Sequence, residues 1–422
     1  MSTHTDRLNS TDTVATDERR YSQTQTNPVS RSFSIAAGSL CLTISTLGLL
    51  SSMGLFQTYW QNHQLSALPK SNIAWIPAVF GFLDAALGMP AGILYDSYGA
   101  SVLLPISSIL YLASFIGLAF ASTYAHLMSC FVVAGLSAAG QTTVAFTVIS
   151  QWFHLRRGLA VGFVSTGAAV GGLIFPLILR ILFNELSWKN AIIVLSAILF
   201  CLLGLGNLLI KAPNVEMNDT KMDLSCFRSW TFWLLCYAVF AVYELVLFIL
   251  WGSIPALSIA TGLGDQYYLV VTYNIGSLIG RSIPPWLADL WFGPLNTAIM
   301  MNGLTCLIVL VMWLPYGDSS VAALFSIVGL LGIGTGSFVP LSSACIFAHC
   351  EPERSGTWFG SIYAVTSLAV LIGDAIMMAI LERYGIKAPA IFIGCFLCSA
   401  LATVLALRWV CLDRRWAWLY RI

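Results

Sequence analysis

Three polar side chains share one face of an apolar segment in the second half of the chain. Asn274 and Ser277 precede Arg281 by seven and four residues, a spacing that places all three on the same side of an α-helix. A guanidinium in such a setting offers a planar pair of donors to a carboxylate. The pattern therefore indicates a substrate-binding site for an organic anion, with Arg281 as its main contact. The alternative is a structural ion pair between Arg281 and Glu244 of the preceding apolar segment.

Two carboxyl groups inside apolar segments are candidates for carrying a proton. Glu244 shares a helical face with Tyr237 and Trp251, each seven residues away. A carboxyl group with aromatic neighbours and little water around it can be protonated reversibly. We therefore predict that Glu244 contacts the substrate and couples its movement to a proton, the alternative being that it only neutralises Arg281. Asp84 is the second proton-coupling candidate, with a hydrogen bond to a closely packed neighbouring helix as its alternative.

The segments that carry these side chains belong to a chain far more apolar than a soluble domain. Of its 422 residues, 58% are hydrophobic and 9% are charged, and the mean hydropathy is +0.82. Apolar stretches of this length suit helices that cross a bilayer, where every backbone polar group must be paired. We predict an all-α membrane protein with twelve transmembrane helices in two pseudo-symmetric six-helix bundles around a central cavity. The predicted spans are residues 33–60, 73–95, 101–121, 125–150, 158–183, 189–210, 229–252, 267–290, 295–315, 321–347, 356–381 and 388–407.

Basic residues predict the orientation of these helices. Of the 20 Lys and Arg residues, fourteen fall on the side that holds both termini, four fall on the opposite side, and Arg180 and Arg281 lie within spans. Lys and Arg are enriched in cytoplasmic loops. We therefore expect both termini in the cytoplasm.

Polar stretches divide the chain into five parts. Residues 1–32 are predicted to be a disordered cytoplasmic tail, and they lack the apolar core of a secretory signal. Residues 33–210 form the first bundle, 211–228 a cytoplasmic linker, 229–411 the second bundle and 412–422 a second cytoplasmic tail. The bundles repeat several features at similar offsets, and internal symmetry of this kind is typical of alternating-access transporters. The repeated positions are Gly158 and Gly162 with Gly356 and Gly360, and Asp96 with Asp289.

The turn after the second predicted helix resembles a motif of the major facilitator superfamily. GILYDSYG matches the superfamily pattern Gly-x-x-x-Asp-x-x-Gly, in which Gly92 permits close helix approach and Gly99 a tight turn. Asp96 can accept hydrogen bonds from the N-terminus of a neighbouring helix or pair with a basic residue. The resemblance implies that these residues close a cytoplasmic gate, with Arg157 as the partner of Asp96 and Asp289 as its counterpart in the second bundle.

The match departs from the superfamily pattern in one respect. Members usually carry basic residues directly after the second glycine, whereas this chain has Ala100 and Ser101.

A narrower resemblance is to the monocarboxylate porters, and within them to their fungal branch. It is carried by GLFQTYWQNHQLS (54–66), QWFHLRRGLAVGFVSTGAAVGGLIFP (151–176) and TYNIGSLIGRSIPPWLADLWFGPLN (272–296). In these porters an arginine of the eighth helix contacts the substrate and an acidic residue lies one turn earlier. The resemblance implies that role for Arg281, while Ser277 occupies the position of the missing acid.

The expected function is secondary active transport of a small organic anion or related metabolite, coupled to a proton, by alternating access. The first alternative is an efflux pump for a fungal secondary metabolite. A second, less favoured alternative is a membrane sensor that binds such a molecule without transporting it. An enzyme is not expected, because HExxH, GxSxG and P-loop patterns are missing from the sequence. We expect no cofactor, metal or nucleic-acid partner, and a monomer suffices for function. The plasma membrane is the expected location, with the vacuolar membrane as the alternative.

Overall fold

The structure of the chain is a computed structural model. It describes residues 28–153, 157–210, 225–251, 254, 261–262, 266–350, 354–385 and 387–412. Within these ranges the regular secondary structure is entirely helical. Most of the predicted tails and linker (1–32, 211–228 and 412–422) lies outside the described residues.

Twelve long helical segments follow one another in the described parts of the chain, and the predicted all-α architecture is confirmed. In chain order they are α1 (Arg31–Asn62), α2 (Trp75–Tyr98), α3 (Ala100–Ala119), α4 (Tyr124–Trp152), α5 (Arg157–Glu185), α6 (Trp188–Leu209), α7 (230–251), α8 (266–292), α9 (Pro294–Tyr316), α10 (Val321–Ala348), α11 (Ser355–Tyr384) and α12 (Ala388–Cys411). Among the described residues, ten of them are long and apolar enough to cross a membrane. The other two are α7 and α8, and α8 carries Asn274, Ser277 and Arg281.

The ends of the helices follow from residue type. The Thr123 hydroxyl accepts a hydrogen bond from the His126 N–H at the start of α4, and the Ser320 hydroxyl accepts one from Ala323 at the start of α10. Glycines in the left-handed region separate α2 from α3 at Gly99 and α8 from α9 at Gly293. These short turns reverse the chain, so consecutive helices lie side by side.

The helices pack as two groups that meet along a central interface. Within the first half, α4 packs against α1, α2 and α3, while α6 packs against α1 and α3; within the second half, α8 packs against α10, and α12 packs against α7 and α9. The groups contact each other where α2 meets α11 and where α5 meets α8. All the charged side chains that the sequence analysis placed inside helices α2, α7 and α8 lie close to this interface.

Candidate functional site

A cavity of about 650 Å³, counted with its opening, lies between the two groups of helices. Both groups contribute to its wall, which is mostly apolar. The polar side chains of the wall are Asp84, Thr142, Thr143, Glu244, Arg281 and Tyr363, and its aromatic side chains also include Phe146, Phe248, Trp251 and Phe359. The cavity therefore brings together three of the charged residues singled out from sequence.

Arg281 lies in the wall of this cavity, and only 2% of its surface is exposed. Its Nε donates a hydrogen bond to the Ser277 hydroxyl at 3.1 Å, one helical turn earlier. Its Nη1 donates to the backbone carbonyl of Ser165 in α5, also at 3.1 Å, across the interface between the two halves. These two bonds fix the plane of the guanidinium, and among the described residues its Nη2 has no protein acceptor.

Asn274 and Ser277 lie on α8 with Arg281 but make different contacts. Ser277 is buried behind Arg281 and orients it through the bond to Nε. The Asn274 amide donates to the carbonyl of Val270 and lies beside Gly172 of α5, at the helix interface. Neither belongs to the cavity wall described above. The three side chains lie on one face of α8, as predicted from sequence, but only Arg281 reaches the cavity.

The two candidate carboxyl groups face the same cavity from opposite halves. Asp84 of α2 accepts a hydrogen bond from the Thr142 hydroxyl at 3.1 Å. Glu244 of α7 is 6% exposed, and the described residues give its carboxylate no hydrogen-bond donor. Both carboxyl groups line one mostly apolar cavity, an arrangement in which two carboxyl groups can share one proton.

The alternative of an ion pair between Arg281 and Glu244 is not what the geometry shows. Within the described ranges neither side chain has an oppositely charged group within 4.0 Å, although both line one cavity. Arg281 instead is held by neutral oxygen atoms of Ser277 and Ser165. Glu244 therefore does not serve as the direct partner of this arginine.

Aromatic rings close one side of the cavity. Phe146 of α4 stacks on Phe359 of α11 with ring centroids 5.6 Å apart, a contact between the two halves. Phe359 also stacks on Phe347 of α10 at 5.5 Å and touches Tyr363 at 4.5 Å. Parallel and tilted ring pairs add to the energy of apolar burial. Phe359 lies one helical turn after Gly356, whose N–H donates to Asp96, so the stack joins the two halves next to that contact.

Asp96 caps a helix of the opposite half. Its Oδ1 accepts from the Gly356 N–H at 3.1 Å, and its Oδ2 accepts from the Thr357 N–H at 2.7 Å and the Thr357 hydroxyl at 2.6 Å. These donors belong to the first turn of α11, whose N–H groups have no partner within the helix. Of the two kinds of partner expected for Asp96, the structure shows the helix N-terminus.

Asp289 makes the equivalent contact in the other direction. Its two carboxylate oxygens accept from the N–H groups of Gly158 at 3.0 Å and Leu159 at 2.7 Å, at the start of α5. We call the end of the molecule that holds both contacts the capped end. Arg157 begins α5, but its side chain lies outside the described residues, so its predicted pairing with Asp96 stays a prediction.

The spacing from the capping aspartate to the glycine that ends its helix differs by one residue between the two caps. The backbone explains this difference. Gly99 follows Asp96 by three residues and closes α2 with an N–H bond to Tyr95, four residues earlier. Gly293 follows Asp289 by four residues and bonds to Ala288, five residues earlier, because residues Ala288–Phe292 form a π-helical turn. The wider turn accommodates the extra residue and returns the carboxylate to the equivalent position.

Close backbone approach at the capped end depends on glycine. A Cβ atom at Gly92 would overlap the carbonyl oxygen of Gly356, and one at Gly88 would lie 3.3 Å from the Gly360 Cα. Backbone atoms cannot move aside as a flexible side chain can. The glycines of α2 therefore let it lie directly against α11, which brings Asp96 within reach of its donors.

Gly92→Ala is expected to weaken closure of the capped end. Overpacking a tight contact costs about 1–3 kcal/mol, and here the cost falls only on the state in which α2 touches α11. We expect a slower transport rate together with faster modification of a cysteine at Ala85 by a reagent applied at the capped end. Gly204→Ala is the control, because nothing lies within 4 Å of a Cβ at that helical glycine. Equal behaviour of the two variants would contradict this interpretation.

Several residues of the site were not identified from sequence. The Gln151 amide of α4 donates to the Ser355 hydroxyl of α11 at 3.3 Å, and the Tyr95 hydroxyl donates to Gln151 at 2.7 Å. Phe146 and Phe359 look like ordinary core residues in an apolar chain. The position of Phe359, three residues after Gly356, was the one signal that could have placed it near the interface.

Comparison with known proteins assigns the fold and its relatives. Residues 33–328 and 236–419 match the Major Facilitator Superfamily. The chain is 30% identical over 409 residues to the MFS-type transporter hasB of Aspergillus fumigatus, covering 90% of this chain and 88% of that one. It is 28% identical over 360 residues to the aspyridones efflux protein apdF of Emericella nidulans, covering 84% and 73%.

A solved structure has the same fold at low sequence identity. The human organic anion transporter MFSD10 (TETRAN) superposes with a TM-score of 0.72 at 14% identity, covering 90% of this chain and 100% of that one. At this identity the likeness concerns the fold alone.

Proposed function

The chain belongs to the Major Facilitator Superfamily, and on that premise we propose that it is a secondary active transporter that exports a small, largely apolar metabolite. It is a multi-pass membrane protein of a superfamily of transporters. The observation that carries the proposal is the cavity itself, which both halves of the molecule line and which is mostly apolar and aromatic. Relatives named as metabolite efflux proteins support export over uptake.

The same cavity is less suited to a simple carboxylate. A small hydrophilic anion would leave the aromatic wall without a partner, and the wall holds two carboxyl groups against one guanidinium. Uptake of an organic anion, as in the monocarboxylate porters, remains the second candidate function, because Arg281 presents its Nη2 without a protein acceptor in the described part of the chain. The arginine then serves an acceptor oxygen of the substrate in either case.

Movement of the substrate follows from the contacts between the halves. We propose that the capped end is cytoplasmic, as the distribution of basic residues predicts. Release of the hydrogen bonds of Asp96 and Asp289, of the Phe146–Phe359 stack and of the Arg281–Ser165 bond lets the halves separate there and admits substrate. The opposite rocking motion returns the cavity to the other face of the membrane.

A proton is the proposed coupling ion, with Glu244 and Asp84 as its carriers. Glu244→Gln removes the charge at nearly constant shape, so we expect transport that no longer responds to an imposed proton gradient. Glu185→Gln, at the end of α5, is the matched control outside the cavity. Stimulation of Glu244→Gln by the gradient to the wild-type extent would exclude this role.

The export proposal is tested with purified protein in liposomes. A labelled panel of aromatic carboxylates, riboflavin and neutral hydrophobic metabolites is offered with and without a proton gradient. We expect accumulation of amphipathic aromatic compounds and little movement of small aliphatic carboxylates. Binding of these compounds without any accumulation would favour the sensor instead, and selective accumulation of small carboxylates would favour the anion-uptake alternative.

A further inference from the structure

The cavity holds charges of both signs that do not neutralise each other directly. Arg281 of α8 is bonded to α5, whereas Asp84 of α2 is bonded to α4 and Glu244 belongs to α7. No pair of opposite charges among them comes within 4.0 Å in the described residues. A charge inside a membrane protein is costly unless it meets a partner, water or a ligand. The separation therefore needs an explanation beyond charge balance.

Local hydrogen bonds hold these groups apart. Arg281 is anchored by Ser277 and the Ser165 carbonyl, and Asp84 is anchored by Thr142. Anchoring prevents the flexible guanidinium from collapsing onto the nearest carboxylate. It leaves two polar groups in the wall, which we call the poles: the Nη2 donor of Arg281, and the Glu244 carboxylate, which lacks a hydrogen-bond donor in the described part of the chain. The same wall is rich in aromatic side chains, namely Phe146, Phe248, Trp251 and Phe359.

We propose that this cavity selects molecules with two polar ends of opposite kind joined by an apolar aromatic body. The acceptor end, a carboxylate, enolate or carbonyl, meets Arg281. The donor end, an amine or hydroxyl, meets Glu244 and Asp84. The inference rests on the proposed transport of a small metabolite and names its chemical class.

This chemistry predicts an order of affinity among three simple probes that share one ring system. 6-(Aminomethyl)-2-naphthoate carries both ends on opposite sides of the ring system, 2-naphthoate carries only the acceptor, and 2-naphthylmethylamine carries only the donor. Because each end makes a hydrogen bond to a charged group, the two-ended probe should bind at least about tenfold more tightly than either single-ended probe. Calorimetric titration of the detergent-purified full chain measures the three dissociation constants.

Substitution of each pole should remove its own preference and keep the other. With Arg281→Gln, the aminomethylnaphthoate and the naphthylmethylamine should bind within about threefold of each other. With Glu244→Gln, the aminomethylnaphthoate and the naphthoate should do so. Arg180→Gln and Glu185→Gln change the same residue types in the outer part of α5, away from the cavity wall, and should keep the wild-type order.

The wild-type order alone can overturn the inference, whether or not the variants fold. Equal affinity for all three probes, or tightest binding of a single-ended probe, would refute it, as would binding of none of them by protein that still transports metabolites in liposomes. Accumulation in liposomes tests the transport proposal separately. Two-ended selectivity without accumulation would therefore contradict transport and leave the cavity chemistry intact.

Discussion

Asparagine at both Asp96 and Asp289 is expected to open the capped end of the protein. Each aspartate accepts hydrogen bonds from the first turn of a helix in the opposite half, three at Asp96 and two at Asp289. A hydrogen bond to a charged group contributes about 1.5–3 kcal/mol, and a carboxylate is also favoured by the helix dipole. Asparagine keeps the shape but loses the charge and one acceptor. We expect each substitution to raise the ratio of open to closed molecules by at least about tenfold. In the double variant the two factors should multiply.

The distance between the halves measures this shift. Spin labels at Tyr98 of α2 and Trp291 of α8, both exposed at the capped end, report the separation by pulsed electron resonance. The double variant should add a longer-distance population and lose most of its transport activity. Asp318→Asn, in the exposed connection between α9 and α10, is the control. A distance distribution identical to that of the control would contradict the role of the two caps.

A cross-link between Gln151 and Ser355 should abolish transport completely and reversibly. These side chains touch at 3.3 Å between α4 and α11, which belong to different halves. Cysteines at both positions, in a background without the native cysteines, can be joined by a short bifunctional thiol reagent with a cleavable disulfide. Because the caps remain intact, the uncross-linked variant should transport, and reduction should restore activity to the cross-linked protein.

The control keeps the cysteine at Gln151 and pairs it with a second cysteine in the same half, at Tyr95. Tyr95 and Gln151 also touch, at 2.7 Å, but both belong to helices of the first half. A cross-link there should leave most transport activity, because each half moves as a packed unit. Loss of activity from both cross-links, or from neither, would contradict motion between the halves.

The sequence was sufficient for the all-α architecture and for the two aspartates of the capped end. Long apolar stretches suit helices in lipid, and among the described residues ten of the twelve helices are long and apolar enough to cross a membrane, whereas α7 and α8 are not. Asp96 and Asp289 could be recognised because each ends an apolar span and stands near a glycine. Their exact partners could not, since a carboxylate at that position suits a helix N-terminus as well as a basic side chain.

The arrangement inside the cavity was harder to predict. Spacing along α8 placed Asn274 and Ser277 on the face of Arg281, but only packing against α5 and α10 decides which of them reaches the cavity. An ion pair between Arg281 and Glu244 was a reasonable alternative from sequence. Its absence from the described residues reflects the competing acceptors Ser277 and the carbonyl of Ser165, and a backbone carbonyl leaves no signal in the sequence.

Labelling of one cavity residue from both faces of the membrane tests the central claim, that a single cavity is exposed alternately to the two sides. Ala85 lines the cavity and takes no part in its polar contacts, so a cysteine there is a suitable reporter. An impermeant thiol reagent is applied to one face or the other. The reporter protein with both aspartates is compared with the same protein carrying Asp96→Asn and Asp289→Asn. Removing the caps should raise the modification rate from the capped end and lower it from the opposite face. Rates that rise or fall together on both faces would contradict alternating access.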